Sequence, residues 1–128
     1  MKNLIKYHIK SGESVVWDEV MVYDKNNLSG ETEVRVVVED GGSIKLKGKI
    51  LIQKDAVGAD AFLRLKVMLL GENAKAEVDP ELEILTNDVK ASHAAFVGQI
   101  DEEQLFYLMS LGIDRQNAIK LMVEAFLN

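Results

Sequence analysis

The residues of this sequence best suited to chemistry are its two histidines, His8 and His93. Neutral imidazole is a good ligand for zinc, iron and copper, and two histidines with a carboxylate form a common metal site. These two lie far apart in the chain, so a shared site would require the fold to bring them together. His93 lies in "VKASHAAFV", a run of small and β-branched residues that precedes a change of pattern at Asp101. The role of His93 therefore depends on the strand that carries it.

Other catalytic groups are scarce. The chain has no cysteine, which removes thiolate nucleophiles and all-thiolate metal sites. The glycines of "DGGS" are not followed by the lysine and helix of a phosphate-binding loop, and they predict a turn. Glu81 and Glu83 alternate with Leu82 and Ile84, which is typical of the solvent face of a strand. The sequence predicts a protein that is not an enzyme.

Length and charge narrow the class of protein further. The 128 residues are enough for one domain with its own core, and 48% of them are hydrophobic. The net charge of -6 argues against binding to nucleic acid or to anionic membranes. The apolar stretches are too short to span a bilayer, and the N-terminal residues lack the apolar core of a signal peptide. With no cysteine for disulfides, these features predict a cytoplasmic protein without nucleic-acid or membrane partners.

Residues 1–98 have the pattern of β-strands. "LIKYHIK" alternates apolar and polar side chains, and the later segments "SVVWDEVMVY", "EVRVVVE", "IKLKGKILIQ" and "FLRLKVMLL" are rich in β-branched residues. Turn residues separate these segments, as in "KSGES", "EDGGS" and "GEN". This pattern by itself allows a sandwich, a barrel or a coil of parallel strands.

Residues 99–128 have the pattern of a helical hairpin. Asp101 and Asp114 are good N-caps, and Gly112 between them is a common helix stop. Apolar residues recur at helical spacing in both segments: Leu105, Leu108, Met109, Ala118, Ile119, Met122, Val123 and Phe126. Such a pair of helices would suit the end of a coil of strands.

Three linked segments resemble one known family. They are "GKILIQKDAVGADAF", "MLLGENAKAEVDPELEILTNDVKASHAAFVGQIDEEQLFYL" and "LGIDRQNAIKLMVEAF", between about Leu46 and Phe126. In order and spacing they resemble the C-terminal region of the SufB/SufD family, the scaffold proteins of iron–sulfur cluster assembly. The SufD branch is the most similar, because its segment Lys-Cys-Ser-His-Gly-Ala matches the stretch from Lys90 to Ala95.

The resemblance implies a mainly β fold. We expect a short right-handed parallel β-helix in residues 1–98, followed by a C-terminal helical hairpin in residues 99–128. The body should have four or five turns of about 20 or more residues each. Leu63, Leu65, Val67 and Leu69 should share one strand face, with Phe62, Met68 and Leu70 on the other.

The resemblance also bears on cluster chemistry. In the family, the histidine that matches His93 lies near the subunit junction and is implicated in cluster assembly, so His93 is the candidate metal ligand. Ala91, however, stands where the family often has cysteine, and iron–sulfur clusters are usually held by thiolates. The isolated chain is expected to carry no cofactor, and a transient iron–sulfur cluster is expected only with a partner subunit. The alternative is that His93 is structural, with a partly buried ring that spans hydrogen bonds at the last strand.

Two surfaces are predicted to bind partners. Apolar residues replace polar family positions at Leu63, Leu65 and Val67, which predicts a two-fold homodimer interface along the strands. The hairpin is predicted to dock a SufC-type ATPase or a larger SufB/SufD paralogue through Phe106, Tyr107, Leu111 and Phe126. The alternative is that these aromatic side chains pack against the last turn of the coil.

Two functions follow from the sequence. The first is a non-enzymatic scaffold for iron–sulfur cluster assembly that dimerises and binds a SufC-type ATPase. The second is a structural protein–protein interaction module that keeps the fold but has lost the cluster role, as the missing cysteine suggests. The segment "LMSLGIDRQNAIKLM" also resembles the first two helices of ubiquitin-associated domains, although such domains need a third helix.

Overall fold

The computed structural model describes residues 2–128. Two helices, α1 (Glu102–Ser110) and α2 (Arg115–Leu127), follow seven β-strands. The strands are β1 (Lys2–Ile9), β2 (Ser14–Tyr23), β3 (Ser29–Val38), β4 (Ser43–Ile52), β5 (Asp60–Leu69), β6 (Lys75–Ile84) and β7 (Lys90–Gln99). None of the helices in this range is long and apolar enough to cross a membrane.

The strands form a parallel coil with two sheets. β1, β3, β5 and β7 make up a four-stranded sheet in that order, and β2, β4 and β6 make up a three-stranded sheet. The pairings within both sheets are parallel, so the chain visits the two sheets alternately and returns to each in the same direction. The prediction of a parallel β-helix followed by two helices is confirmed.

The predicted number of turns was wrong, because the coil has about three turns rather than four or five. Each turn holds two strands, most of them ten residues long, together with two loops. Paired positions such as Asp60 and Lys90 are therefore 30 residues apart in the chain. The strand pattern gives the length of each strand but does not show how many strands make one turn.

Alternate side chains of both sheets fill the interior of the coil. Leu63, Leu65 and Val67 of β5 pack there against the inward rows of β3 and β4. Leu69 contacts the same cluster, while Met68 and Leu70 belong to a second cluster outside the sheet. Separate faces for these residues were predicted and are confirmed.

The assignment of Leu63, Leu65 and Val67 to a dimer interface is wrong. Each of these residues is 0% exposed within the single chain. β5 lies between β3 and β7. Its inward side chains at these positions are covered by residues of the same chain, so a second subunit cannot contact them. The apolar residues at these positions contribute to the core of the coil.

The helical hairpin packs on the outer face of the four-stranded sheet. Val123 of α2 is buried against Val37 and Met68, and Ile119, Met122 and Phe126 pack around them half-buried. The predicted caps are confirmed: the Asp101 carboxylate accepts hydrogen bonds from the backbone N–H groups of Glu103 and Gln104. Asp114 caps α2 in the same way. Gly112 has a φ of 91°, which favours glycine at a helix stop.

Candidate functional site

His93 lies on β7, at the edge of the four-stranded sheet. It pairs in register with Leu63, so its side chain points to the same side of the sheet as the interior row. The residue is nevertheless exposed, because β7 is the last strand of its sheet within residues 2–128 and the coil covers its inward face only in part, at Ala91. The structural interpretation of a partly buried His93 ring is therefore wrong, and the imidazole is open to solvent or to a partner.

His8 lies at the opposite edge of the same sheet, on β1. Its Nε2 is 2.7 Å from Oε2 of Glu39, and both side chains are partly exposed. β3 and β5 separate β1 from β7, which puts the two histidines at least about 14 Å apart, at roughly 4.8 Å per strand. They do not share a site. Within residues 2–128, no group of three or more metal-ligating side chains lies close enough to hold a metal ion.

The predicted partner surface on the hairpin divides into two parts. Phe106, Tyr107 and Leu111 are 75%, 62% and 61% exposed, whereas Leu105 between the helices is fully buried. We call these three exposed side chains the α1 patch. Phe126 lies elsewhere, half-buried on the four-stranded sheet. The aromatic side chains of α1 therefore do not pack against the last turn of the coil.

Within residues 2–128, the outermost strands at both ends of the coil have a neighbouring strand on one side only. At the last end these strands are β6 and β7, and they expose large apolar side chains at Leu82, Ile84, Phe96 and Val97. At the first end they are β1 and β2, where Val16, Val20 and Val22 are exposed. The rings of Tyr7 and Trp17 meet edge-to-face at the first end, with their centroids 5.6 Å apart.

Rows of opposite charge run along the outer face of the three-stranded sheet. β4 contributes Lys45, Lys47 and Lys49, and β6 contributes Glu77, Asp79, Glu81 and Glu83. Nζ of Lys47 lies 3.5 Å from Oε1 of Glu81, and Nζ of Lys49 lies 3.4 Å from Oε1 of Glu83. Glu81 and Glu83 of β6 are therefore paired with lysines of β4. On its other side, β6 has no neighbouring strand within residues 2–128.

A buried charge cluster was missed from the sequence. Glu33 of β3 is 1% exposed and accepts hydrogen bonds from Arg35 and from Nη1 of Arg64, the latter at 2.9 Å. Burial by itself would raise the pKa of Glu33, but the two guanidinium groups hold this pKa below its ordinary value. Arg35 also donates to the carbonyl oxygen of Phe126 at 3.3 Å. The only signal was the alternation of charged residues with valines in "EVRVVV".

Comparison with known proteins agrees with this architecture. Residues 5–126 match the family described as "SUF system FeS cluster assembly, SufBD core domain". The iron–sulfur cluster assembly protein SufD of Escherichia coli is 39% identical over 92 residues, which cover 72% of this chain and 22% of that protein. SufD of Bacillus subtilis is 40% identical over 91 residues, covering 71% of this chain and 21% of that protein.

SufB of Bacillus subtilis is more distant, at 28% identity over 107 residues, or 84% of this chain and 23% of that protein. The chain thus spans about a fifth of the length of these curated relatives. The family match extends from the first strand to the last turn of α2, so it includes both the coil and the hairpin. On this evidence the chain belongs to the SufBD core family of iron–sulfur cluster assembly proteins.

Proposed function

We propose that this chain is a cytoplasmic, non-enzymatic scaffold subunit in iron–sulfur cluster assembly. It binds a SufC-type ATPase, or a larger SufB/SufD paralogue, through the α1 patch, and it self-associates through free strand edges. Support comes from the SufBD core match and from relatives that are named as iron–sulfur cluster assembly proteins. The observation that carries the docking proposal is the α1 patch itself.

The α1 patch is expensive to leave in water. Phe106 and Tyr107 project from one short helix and Leu111 lies at its C-cap, while only Leu105 of that helix is buried. Each exposed aromatic side chain can remove on the order of 100 Å² of apolar area from water on docking, at about 25 cal/mol per Å². Aromatic residues that are exposed together are typical of protein contact sites. The patch therefore suits a partner with an apolar groove.

The docking proposal predicts that substitutions in the α1 patch reduce binding of the ATPase without changing the stability of the fold. Replacing both Phe106 and Tyr107 with Ala should abolish capture of a SufC-type ATPase by the immobilised chain, because the two rings supply most of the contact area. The melting temperature should change by less than about 2 °C, since substitutions at exposed sites are usually nearly neutral. Co-purification and thermal unfolding of the same samples measure both effects.

Two control variants sharpen this experiment. Leu121→Ala removes an apolar side chain of α2 that is 46% exposed and lies outside the patch, and it should leave capture unchanged. Leu105→Ala creates a cavity in the core and should destabilise the fold by about 2–5 kcal/mol. Capture that survives the double substitution would contradict docking through α1.

Self-association is the second part of the proposal. A sheet edge with unpaired N–H and C=O groups is a template for another strand, and within residues 2–128 such an edge runs along β6 and β7 at the last end of the coil. Exposed apolar side chains on these strands add to the cost of leaving them uncovered. These edges replace the buried row of β5 as the proposed contact.

A second candidate function is a structural interaction module that has lost the cluster role. It is favoured by Ala91, which lies on the same strand face as His93 and carries no thiol. Such a module would still bind the ATPase through α1. A purified complex of the two proteins that neither retains nor delivers iron and sulfide would favour this candidate over the scaffold.

A further inference from the structure

A cleft of about 480 Å³ lies between the coil and the first turns of α2. Its coil wall is formed by His8, Glu39, Asp40 and Leu70, and α2 forms the wall opposite. We call it the α2 cleft. Cavities of several hundred Å³ that combine apolar walls with a few polar groups are typical of small-molecule sites. The scaffold function proposed above makes no use of this cleft.

The register of the strands forms the coil wall. Val37 of β3 and Met68 of β5 are paired and face outward, so two positions further along Glu39 and Leu70 face outward as well. His8 of β1 pairs with Val37, which puts its imidazole beside them on the same face. The cleft therefore lies on the outer face of the sheet, at the level where the parallel strands end, rather than along a strand edge.

The helix wall is joined to the sheet by hydrogen bonds at the C-terminal end of α2. Arg35 donates to the carbonyl oxygen of Phe126, and Nζ of Lys6 donates to Oδ1 of Asn128 at 3.2 Å. Within residues 2–128, no side-chain hydrogen bond joins the first turns of this helix to the coil. The space between the two walls is therefore open near the start of the helix.

The two walls of the α2 cleft carry opposite charges. Glu39 and Asp40 supply carboxylates on the coil, and Lys120 supplies an ammonium group on the helix. Oε2 of Glu39 lies 2.7 Å from Nε2 of His8, and Oδ1 of Asp40 accepts a hydrogen bond from the backbone N–H of Asn73 at 2.7 Å. Both carboxylates are thus held in place by the coil. Within the described residues, Lys120 takes part in no ion pair, so the charges of the two walls are not joined to each other.

The floor of the cleft is apolar. It is formed by Leu70 of the coil and by Ile119 and Val123 of α2. These three side chains belong to the hydrophobic cluster that joins the hairpin to the sheet. Burial of a further apolar group on this floor would be favourable, at about 25 cal/mol per Å² of apolar area. The floor therefore suits an apolar side chain rather than a fully polar ligand.

We propose that the α2 cleft binds a free amino acid with an apolar side chain. The ammonium group of this ligand lies against Glu39 and Asp40, and its carboxylate pairs with Lys120. Its side chain covers Leu70 and Ile119. A ligand with only one of the two charges leaves the charge of the opposite wall without a partner, which lowers affinity. The inference goes beyond the proposed scaffold function and does not rest on it.

Titration of the isotope-labelled chain with L-leucine, followed by nuclear magnetic resonance, tests this proposal. Binding should saturate and should shift the backbone amide signals of Asp40, Gly71 and Lys120, which line or adjoin the cleft. Leucinamide lacks the carboxylate and N-acetyl-leucine lacks the ammonium group, so each should bind about tenfold more weakly. Glycine should also bind about tenfold more weakly, because it has no side chain to cover the apolar floor.

Two variants assign each charge of the ligand to a wall. Lys120→Met should weaken binding of L-leucine about tenfold and leave binding of leucinamide unchanged, because leucinamide has no carboxylate to lose a partner. Glu39→Gln should have the converse effect, with N-acetyl-leucine unchanged. Lys45→Met is the matched control, since it removes an exposed lysine from the outer face of the other sheet and should not alter binding. Thermal unfolding of the same samples shows that each variant is folded.

Equal binding of L-leucine and either of its blocked forms would overturn the assignment of a zwitterionic ligand. The site itself would be overturned if L-leucine gave no saturable binding in the millimolar range, or if the shifted signals lay only in the α1 patch. None of these results bears on ATPase capture, because none of the substitutions touches the α1 patch.

Discussion

At the level of single residues, Glu33 is a buried carboxylate on the outer face of the four-stranded sheet. The carboxylate is 1% exposed and lies between the guanidinium groups of Arg35 and Arg64. A buried carboxylate without such partners would become protonated. Arg35 extends the cluster to the last turn of α2, which has no basic residue of its own. The sheet thus supplies the cation that the helix C-terminus favours.

This cluster makes stability depend on pH in acid. The pKa of Glu33 is held below its ordinary value of 4.5, so its contribution to stability is fully present above about that pH. The contribution is lost as the pH falls through the lower pKa of the folded state, because the unfolded chain binds the proton more readily. Urea unfolding between pH 3 and pH 7 should show this loss below about pH 4.5.

Glu33→Gln should lower the free energy of unfolding at pH 7 by about 1–3 kcal/mol, because it weakens two charged hydrogen bonds in a buried place. The variant should also lose part of the acid dependence. Glu83→Gln, which alters an exposed ion pair, is the matched control and should change stability by less than about 1 kcal/mol. Equal effects of the two substitutions would contradict the special position of Glu33.

At the level of the elements, β4 fits the coil because Gly48 has no side chain. A Cβ there would lie 2.8 Å from Cδ2 of Leu63 and from Cδ1 of Leu65, on the opposite inner wall. The two sheets can approach at this point only if one of the facing residues is very small. Gly48 thus links the three-stranded sheet to the inward row of β5.

Gly48→Val should therefore destabilise the fold by about 1–3 kcal/mol or more, since added volume forces the facing leucines out of their places. Lys47→Val, one position away on the outer face, makes a matched comparison because its side chain points to solvent. Chemical denaturation of both variants provides the measurement. If the Gly48→Val protein were as stable as the Lys47→Val protein, the interior of the coil would have room for the added side chain, which would contradict this prediction.

At the level of the whole molecule, the coil presents His93 at an end rather than inside a site. The chain has no cysteine that could act as a ligand beside the imidazole of His93, and iron–sulfur clusters are usually held by thiolates. We therefore expect the purified chain to retain no stable cluster after anaerobic incubation with iron and sulfide. Iron and acid-labile sulfide assays, with the absorption spectrum, measure the outcome.

The Ala91→Cys variant is the informative comparison for that experiment. It adds a thiol on the strand face of His93, two positions along β7, and should retain more iron than the natural sequence. About one cluster per two natural chains would contradict the expectation. In that case His93→Ala should abolish binding if the ring is a ligand.

The sequence alone determined the local features of this protein. Alternation of side chains defined the strands, and Asp101, Gly112 and Asp114 defined the hairpin through hydrogen bonds and backbone angles that are local in the chain. The linked segments from the fourth strand onward were enough to identify the family, and hence the parallel coil. These features depend on neighbouring residues or on an ordered set of motifs, so they can be found without a structure.

Only the tertiary structure decided which side of each strand is inside and what the two ends of the coil expose. Apolar side chains alternate with a period of two along a strand whether they face the core or a partner subunit. The sequence pattern therefore could not distinguish the two, and Leu63, Leu65 and Val67 were assigned to a surface. Burial at these positions depends on β3, β4 and β7, which come from other parts of the chain. The exposure of His93 and the free edges beside β6 and β7 likewise depend on where the coil stops, because a strand edge is covered only when another strand lies beside it.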